Sequence, residues 1–219
     1  MLTSTRVSEI FEKFEANNPC PQSELVANNE FTFVVSVLLS AQSTDRSVNR
    51  VTAGLFRIAD TPQKMSDLGI DELKQHIRSI GLYNNKAKNI MELSRILMSR
   101  HDSNIPSTRH ELEQLPGIGR KSANVILNHL FGASFIAVDT HVIRLSKRLG
   151  LSHAKTPLAV ESDLMKMIPS RFHSRASNWL VCHGRYICKA TSIECTKCLI
   201  CDLCPYRSED PLISSLPHY

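Results

Sequence analysis

Apolar residues recur along this chain at the three- and four-residue spacing of an α-helix, as in Ile90, Leu93 and Leu97. Alternation of apolar and polar residues, which marks a half-buried β-strand, is almost absent. The sequence therefore predicts an all-α fold of about ten helices. Residues 31–39 alone resemble a buried strand, but the segment continues through Ala41 and Gln42, and this length favours a central buried helix.

Helix-breaking residues separate the predicted helices. They fall at residues 17–21, 60–62, 81–82, 104–107, 132 and 156–157. The chain has 219 residues, of which 42% are hydrophobic and 21% are charged. That is enough for one large domain or for two small domains that share a core.

The sequence predicts a cytoplasmic protein without a membrane span. Its longest apolar run is about half as long as a helix that crosses a bilayer, and residues 1–15 lack the pattern of a secretory signal. The net charge of +5 permits a nucleic-acid partner without requiring one, because an ordinary slightly basic protein has the same balance.

Six of the seven cysteines lie within residues 182–204. An odd number of cysteines, crowded into one segment of a chain expected in a reducing compartment, indicates a metal centre and not disulfide bonds. Four of them follow the spacing C-x6-C-x2-C-x5-C: Cys188, Cys195, Cys198 and Cys204. Four thiolates suit an iron-sulfur cluster or tetrahedral zinc. Cys201 departs from the plain pattern, because it adds a fifth thiol to the same segment.

The segment 115–121, Leu-Pro-Gly-Ile-Gly-Arg-Lys, predicts a tight turn followed by a helix. Gly117 and Gly119 permit the turn, and the amide groups at the helix start can bind a phosphate beside Lys121. A lysine becomes a nucleophile only where burial, or a cationic neighbour such as Arg120, favours the neutral amine. Otherwise a lysine in the first turn of a helix is a solvated residue or a phosphate contact.

Asp139 follows Lys121 by eighteen residues and precedes Thr140 and an apolar pattern with helical spacing. Aspartate at such a position is a good helix N-cap. A carboxylate fixed at the start of a helix is also well oriented for chemistry, so the structural and the chemical role are compatible.

Together with three other segments, these motifs resemble the helix-hairpin-helix DNA glycosylases, specifically the bacterial endonuclease III family. The other segments are Leu-Leu-Ser-Ala-Gln-Ser-Thr-Asp at 38–45, Gly-Leu-Tyr-Asn at 81–84, and 179–186 followed by the four cysteines. They occur in the family's order, and the likeness covers nearly the whole chain.

The resemblance implies two helical domains that flank a cleft. One is a contiguous six-helix domain with the helix-hairpin-helix motif, residues 22–133, and the other is discontinuous, residues 1–21 and 134–219. The resemblance also implies a [4Fe-4S] cluster in the C-terminal loop, with Cys182 and Cys201 as extra thiols. The implied ligands are Cys188, Cys195, Cys198 and Cys204.

The activity that the resemblance implies is base excision repair by a bifunctional DNA glycosylase and abasic-site lyase. A damaged base, mainly an oxidised pyrimidine, rotates out of the duplex, and Lys121 attacks the sugar carbon that carried it to form a Schiff base. β-Elimination then cuts the strand on the 3′ side. Asp139 stabilises the cationic sugar and moves protons to and from Lys121.

The implied partner is double-stranded DNA with damaged bases or abasic sites, bound by a monomer at the bacterial nucleoid. Gln42 and Leu82 would fill the gap that the extruded nucleotide leaves. Their alternative roles are a polar residue at a helix end for Gln42 and a core residue for Leu82. The residues expected at backbone phosphates are Gly117, Gly119, Arg120 and, in the cluster loop, Lys189.

Three other classes share parts of this pattern. A non-catalytic helix-hairpin-helix module would use the hairpin only to hold phosphate. An adenine-specific mismatch glycosylase resembles the chain but lacks the catalytic lysine. An iron-sulfur electron carrier fits the cysteines and leaves most of the chain unexplained. The coincidence of Lys121 and Asp139 with the family's catalytic positions favours the bifunctional enzyme.

Overall fold

The structure is a computed structural model that describes residues 2–19, 21 and 23–206. The α-helices in these ranges are α1 (Ser4–Asn17), α2 (Glu30–Ser40), α3 (Asp45–Leu55), α4 (Pro62–Leu68), α5 (Ile70–Ile77), α6 (Tyr83–Arg100), α7 (Arg109–Glu113), α8 (Arg120–Phe131), α9 (Thr140–Arg148), α10 (Pro157–Met167) and α11 (His173–Tyr186). Short 3₁₀ helices lie at Ser170–Phe172, Cys195–Lys197 and Cys201–Leu203.

The all-α prediction is confirmed. The described ranges hold no β-strand, although Cys188 and Ile193 form an isolated antiparallel bridge. Some breaks were not predicted. Helices α10 and α11 are separated at residues 168–172, and residues 62–77 form two helices, because Gly69, with a φ of +80°, ends α4 and begins α5. A left-handed conformation at this point is one that glycine adopts without strain.

The chain divides into two compact units. The first unit comprises Met1–Gln22 and Ser134–Tyr219, and the second unit comprises Ser23–Ala133. Helices α1 and α9 to α11 belong to the first unit, and α2 to α8 belong to the second. The N-terminal helix is therefore part of the same unit as the C-terminal residues.

Threonine side chains start several of the helices. Each accepts a hydrogen bond from the backbone N–H three residues further on, and the capping residues are Thr3, Thr44, Thr61, Thr108 and Thr156. Such a cap contributes about 1 kcal/mol. Pro62 and Pro157 follow two of them, at positions where a missing N–H does no harm. These Thr-Pro pairs account for the predicted breaks at 60–62 and 156–157.

Aromatic side chains pack α1 into the first unit. Phe11 stacks on Phe172 with ring centroids 5.8 Å apart, and Phe14 stacks on Trp179 at 6.5 Å. The indole N–H of Trp179 donates to the backbone carbonyl of Asn18 at 2.8 Å, so the polar end of this buried ring has a partner. These contacts hold the N-terminal helix against α11.

Helix α2 is the buried centre of the second unit. Residues 31–39 are all buried, which confirms the predicted central helix. Asn29 and Thr32 form a reciprocal capping box at its start. Phe33 stacks on His129 of α8 with ring centroids 3.9 Å apart, and α2 also contacts α3 and α6. No described helix combines the length and the hydropathy that crossing a bilayer requires.

Candidate active site and cysteine cavity

The hairpin between α7 and α8 is built around Gly117. This residue has a φ of +81°, and a Cβ atom added to it would lie 2.8 Å from Nδ2 of Asn89 and 3.0 Å from Cδ1 of Leu38. Both the left-handed backbone and the close packing therefore require glycine. Because Leu38 is in α2 and Asn89 is in α6, the hairpin is seated directly on these two helices.

Lys121 lies in the first turn of α8, directly after the hairpin. Gly119 is the N-cap of this helix and supplies no side-chain acceptor to the amide groups of the first turn. A helix start of this kind carries a partial positive charge and is a ready site for a phosphate. Arg120 is half-buried and Lys121 is exposed. The described residues themselves therefore do not supply the burial that favours a neutral, nucleophilic lysine.

Asp139 is the N-cap of α9 in the first unit. Its Oδ1 atom accepts a hydrogen bond from the backbone N–H of Val142 at 2.9 Å, which confirms the predicted cap. The preceding residues 136–138 are buried, and the N–H of Ala137 donates to Oγ of Ser177 in α11 at 2.7 Å. The half-buried carboxylate is thereby held in a fixed orientation at the start of a helix.

Gln42 and Leu82 both have left-handed backbones, with φ angles of +55° and +59°. This conformation is strained for residues other than glycine and is concentrated at functional sites. Both side chains are exposed, and Leu82 retains 59% of its accessible surface. The alternative role of Leu82 as a core residue is therefore wrong. A Cβ atom added to Gly81 would lie 3.9 Å from the carbonyl oxygen of Gln42, so the two loops are neighbours.

Lys86, which was not among the predicted site residues, is buried next to the loop of Gln42. A signal for it exists, because Lys86 lies four residues before Ile90 and so occupies the apolar stripe of α6. A lysine in a buried stripe requires partners for its ammonium group.

Five cysteines of the C-terminal segment line one small cavity. The predicted ligands Cys188, Cys195, Cys198 and Cys204 all line it, and Cys201 lines it as well. Cys182 is not among the lining residues. No three of the described histidine, cysteine, aspartate or glutamate side chains are placed to hold one metal ion together.

The electrostatics of the cavity disfavour thiolates without a cationic partner. Burial raises the pKa of Cys198 to about 12 and that of Cys195 to about 11, and charge on the neighbouring cysteines adds to both shifts. Burial also lowers the pKa of His183 to about 4, so its ring, 3.5 Å from Sγ of Cys198, is neutral at neutral pH. Metal binding to these thiols would release protons.

Arg148 is a cationic side chain that reaches the sulfur of one predicted ligand. Its Nη1 atom donates to Sγ of Cys188 at 3.1 Å and to the backbone carbonyl of Lys189 at 2.7 Å. Lys189 itself pairs with Glu194 at 2.7 Å, and Lys197 pairs with the same carboxylate at 2.8 Å. These hydrogen bonds lower the pKa of Glu194 to about 2. A phosphate contact by Lys189 would compete with this ion pair.

Comparison with known proteins agrees with this geometry. The family model of the HhH-GPD superfamily base excision DNA repair proteins matches residues 35–170. Endonuclease III of Rickettsia felis is 50% identical over 208 residues, which cover 95% of this chain and 97% of the relative. Endonuclease III of Escherichia coli strain K12 is 45% identical over 201 residues, 92% of this chain and 95% of the relative. A solved structure of a trapped covalent intermediate of endonuclease III and DNA has a TM-score of 0.89 and 42% identity, and covers 95% of this chain and 99% of that one.

The helical hairpin, and the match of the family model to more than half of the chain, define a base excision DNA repair glycosylase of the helix-hairpin-helix class. The chain belongs to the endonuclease III family and is an enzyme with DNA glycosylase and AP lyase activity. The resemblance stated from the sequence is confirmed. The family assignment decides against a non-catalytic module, an adenine mismatch glycosylase and an electron carrier.

We expect Gly117→Ala to destabilise the second unit by about 1–3 kcal/mol, because the added Cβ is strained and meets Asn89. Urea unfolding measures the change. Gly54→Ala is the matched control, since nothing lies within 4 Å of a Cβ at this helical position. It should leave stability unchanged or raise it slightly. Equal stability of the two variants would contradict the seating of the hairpin.

Proposed function

We propose that Lys121 is the nucleophile of the glycosylase and lyase reactions. Its amine would attack the sugar carbon of the damaged nucleotide, release the base and form a Schiff base, after which β-elimination cuts the strand on the 3′ side. The position of Lys121 directly after the phosphate-binding hairpin carries this proposal. A relative that is 42% identical forms a covalent intermediate with DNA, which supports covalent chemistry. Because Lys121 is exposed, the bound DNA must supply the loss of water that a neutral amine requires.

Asp139 is the second catalytic residue of the proposal. Its carboxylate would stabilise the cationic sugar as the base leaves and would move protons to and from Lys121. The hydrogen bond from Val142 and the buried segment before Asp139 support this role, because they fix the orientation of the carboxylate. Preorganised charge of this kind is an effective way to stabilise a transition state.

The proposed substrates are oxidised pyrimidines and abasic sites in double-stranded DNA, bound by a monomer in the bacterial cytoplasm. Oxidised pyrimidines stack weakly, so they leave the duplex at a lower cost. Gln42 and Leu82 would enter the gap that the extruded nucleotide leaves, and their exposure and left-handed backbones support this role. The proposed phosphate contacts are Gly117, Gly119, Arg120 and Lys189.

The proposed cofactor is a [4Fe-4S] cluster, whose ligands are Cys188, Cys195, Cys198 and Cys204. The donor set fits, because four thiols line one cavity and four cysteine thiolates are the usual ligands of such a cluster. When bound, the iron centres would neutralise the thiolates and order the loop between Cys188 and Cys195. Arg148 would donate to a ligand sulfur, as it donates to Sγ of Cys188 here. Base removal itself uses Lys121 and Asp139.

We expect Lys121→Ala to abolish both the covalent adduct and the strand cut while DNA binding persists, because the attacking amine is lost. The measurement is borohydride trapping on a duplex with an oxidised thymine. Lys64→Ala is the control, since Lys64 is an exposed lysine of the same unit that pairs with Asp60. An adduct that survives in Lys121→Ala would exclude this lysine as the nucleophile.

The variant Asp139→Asn separates the role of Asp139 as a helix cap from its proposed role in catalysis. Asparagine caps a helix as well as aspartate does, so the melting temperature should stay unchanged while single-turnover excision falls by about 100-fold or more. Asp139→Ala should lose both activity and about 1 kcal/mol of stability. Thr156→Ala, which removes a cap in the same unit, should lose stability alone. Full activity of Asp139→Asn would reduce Asp139 to a structural cap.

Cys198→Ala should lose its iron and inorganic sulfide, whereas Cys201→Ala should retain them. Both thiols line the cavity, so the pair differs only in whether the proposed ligand set is broken. Because the cluster would order the loop that carries the proposed phosphate contact Lys189, Cys198→Ala should also weaken DNA binding more than the single-turnover rate at saturating enzyme. Iron loss from Cys201→Ala with retention in Cys198→Ala would reverse the ligand assignment.

A further inference from the structure

A single buried lysine connects the two loops that carry Gln42 and Leu82. We propose that Lys86 is a positioning residue, which holds both loops in the conformation that enters the DNA duplex. This inference rests on the proposed wedge role of Gln42 and Leu82. It concerns a residue that would not touch the damaged base or the reacting atoms.

The side chain of Lys86 binds the loop of Gln42 from below the surface. Its Nζ atom donates to the carbonyl oxygens of Leu39 at 2.9 Å and Ala41 at 2.6 Å, and to Oγ of Ser43 at 3.1 Å. An ammonium group has three donors, so this set of acceptors matches it. Ala41 and Ser43 are the two neighbours of Gln42 in the chain. Hydrogen bonds from Lys86 therefore fix the residues on both sides of Gln42.

The backbone of Lys86 binds the other loop. Its N–H donates to the carbonyl oxygen of Leu82 at 3.0 Å, and the N–H of Asn85 donates to the same oxygen at 3.0 Å. Leu82 is thus the N-cap of α6, and Lys86 lies in the first turn of that helix. One residue hydrogen-bonds Leu82 through its main chain and the loop of Gln42 through its side chain.

The charge of Lys86 is balanced by backbone dipoles. Lys86 has 5% of its surface exposed, and its described acceptors are two carbonyl oxygens and one hydroxyl oxygen. Both carbonyl oxygens lie at the C-terminal end of α2, where the helix carries partial negative charge and its last carbonyls lack partners within the helix. The ammonium group therefore caps α2 at the point where the chain turns into Gln42. Burial lowers the pKa of Lys86, so the interaction is made against a cost of desolvation.

The cost of desolvating the ammonium group is consistent with a role of Lys86 in holding the loops of Gln42 and Leu82. Left-handed backbones at non-glycine residues persist only where the surroundings fix them. Gln42 and Leu82 are exposed, so their own side chains make little packing that could hold the strained conformation. The hydrogen bonds of Lys86 supply that constraint from the buried side. Loss of the ammonium group should let the loop of Gln42 relax before it meets DNA, and with it the pairing of the two loops, although the main-chain hydrogen bond to Leu82 stays.

The test compares Lys86→Met, which keeps much of the apolar stem and removes every donor, with Lys88→Met on the exposed side of α6. Single-turnover rates are measured on two duplexes, one with a paired oxidised thymine and one with a preformed abasic site. Borohydride trapping on the abasic duplex counts the active molecules in each preparation. 2-Aminopurine placed beside the oxidised thymine reports extrusion by its fluorescence.

We expect Lys86→Met to excise the paired base about tenfold more slowly or worse, with a smaller 2-aminopurine signal, and to cut the abasic duplex at nearly the wild-type rate. An abasic site has no base to extrude. A difference between the rates on the two duplexes therefore reports the effect of the loops on base extrusion. Lys88→Met should keep the wild-type ratio of the two rates. Equal slowing on both duplexes, or no slowing on either, would overturn the positioning role.

A second variant covers the case in which Lys86→Met does not fold. Ser43→Ala removes the side-chain acceptor of the set and leaves both backbone acceptors, so it should shift the same ratio in the same direction by a smaller factor. An unchanged ratio would count against the proposal. Failure of the proposed function is distinguishable, because the wild type itself would then give no excision and no trapped adduct.

Discussion

The close packing of Leu38 against Gly117 fixes the position of the hairpin between α7 and α8 in the second unit. Leu38 lies in the last turns of α2, the buried helix at the centre of that unit, and its Cδ1 atom, together with Nδ2 of Asn89, crowds any side chain at position 117. The same helix ends at the loop of Gln42, where Lys86 donates hydrogen bonds to the carbonyl oxygens of Leu39 and Ala41. A displacement of α2 would therefore move the hairpin and the Gln42 loop together. The uninterrupted burial of residues 31–39 keeps this helix in place.

Local sequence patterns predict much of this fold, because helix boundaries depend on neighbouring residues. Threonine caps followed by proline mark the starts of α4 and α10, and the apolar run of α2 marks the core. The break at Gly69 is harder to predict, since a single glycine inside a helical pattern is often tolerated. The role of Asp139 as a cap is also local, and its prediction is confirmed.

The candidate site is less predictable where partners are distant in sequence. The acceptors of Lys86 lie more than forty residues away along the chain, so no local pattern identifies them. Spacing also cannot choose among Cys195, Cys198 and Cys201, because all of them reach one cavity. Arg148 is a further case: its position in the last turn of α9 looks like an ordinary helix end, yet its guanidinium donates to Cys188.

The division of the first unit between the two ends of the chain has a consequence for synthesis on the ribosome. Trp179, the ring that covers Phe14 and donates to Asn18, is made 161 residues after Asn18. During that interval α1 emerges with its apolar face uncovered, while the whole second unit is translated and is able to fold as a contiguous segment. The first unit closes last, and α1 must stay out of non-native contacts until then.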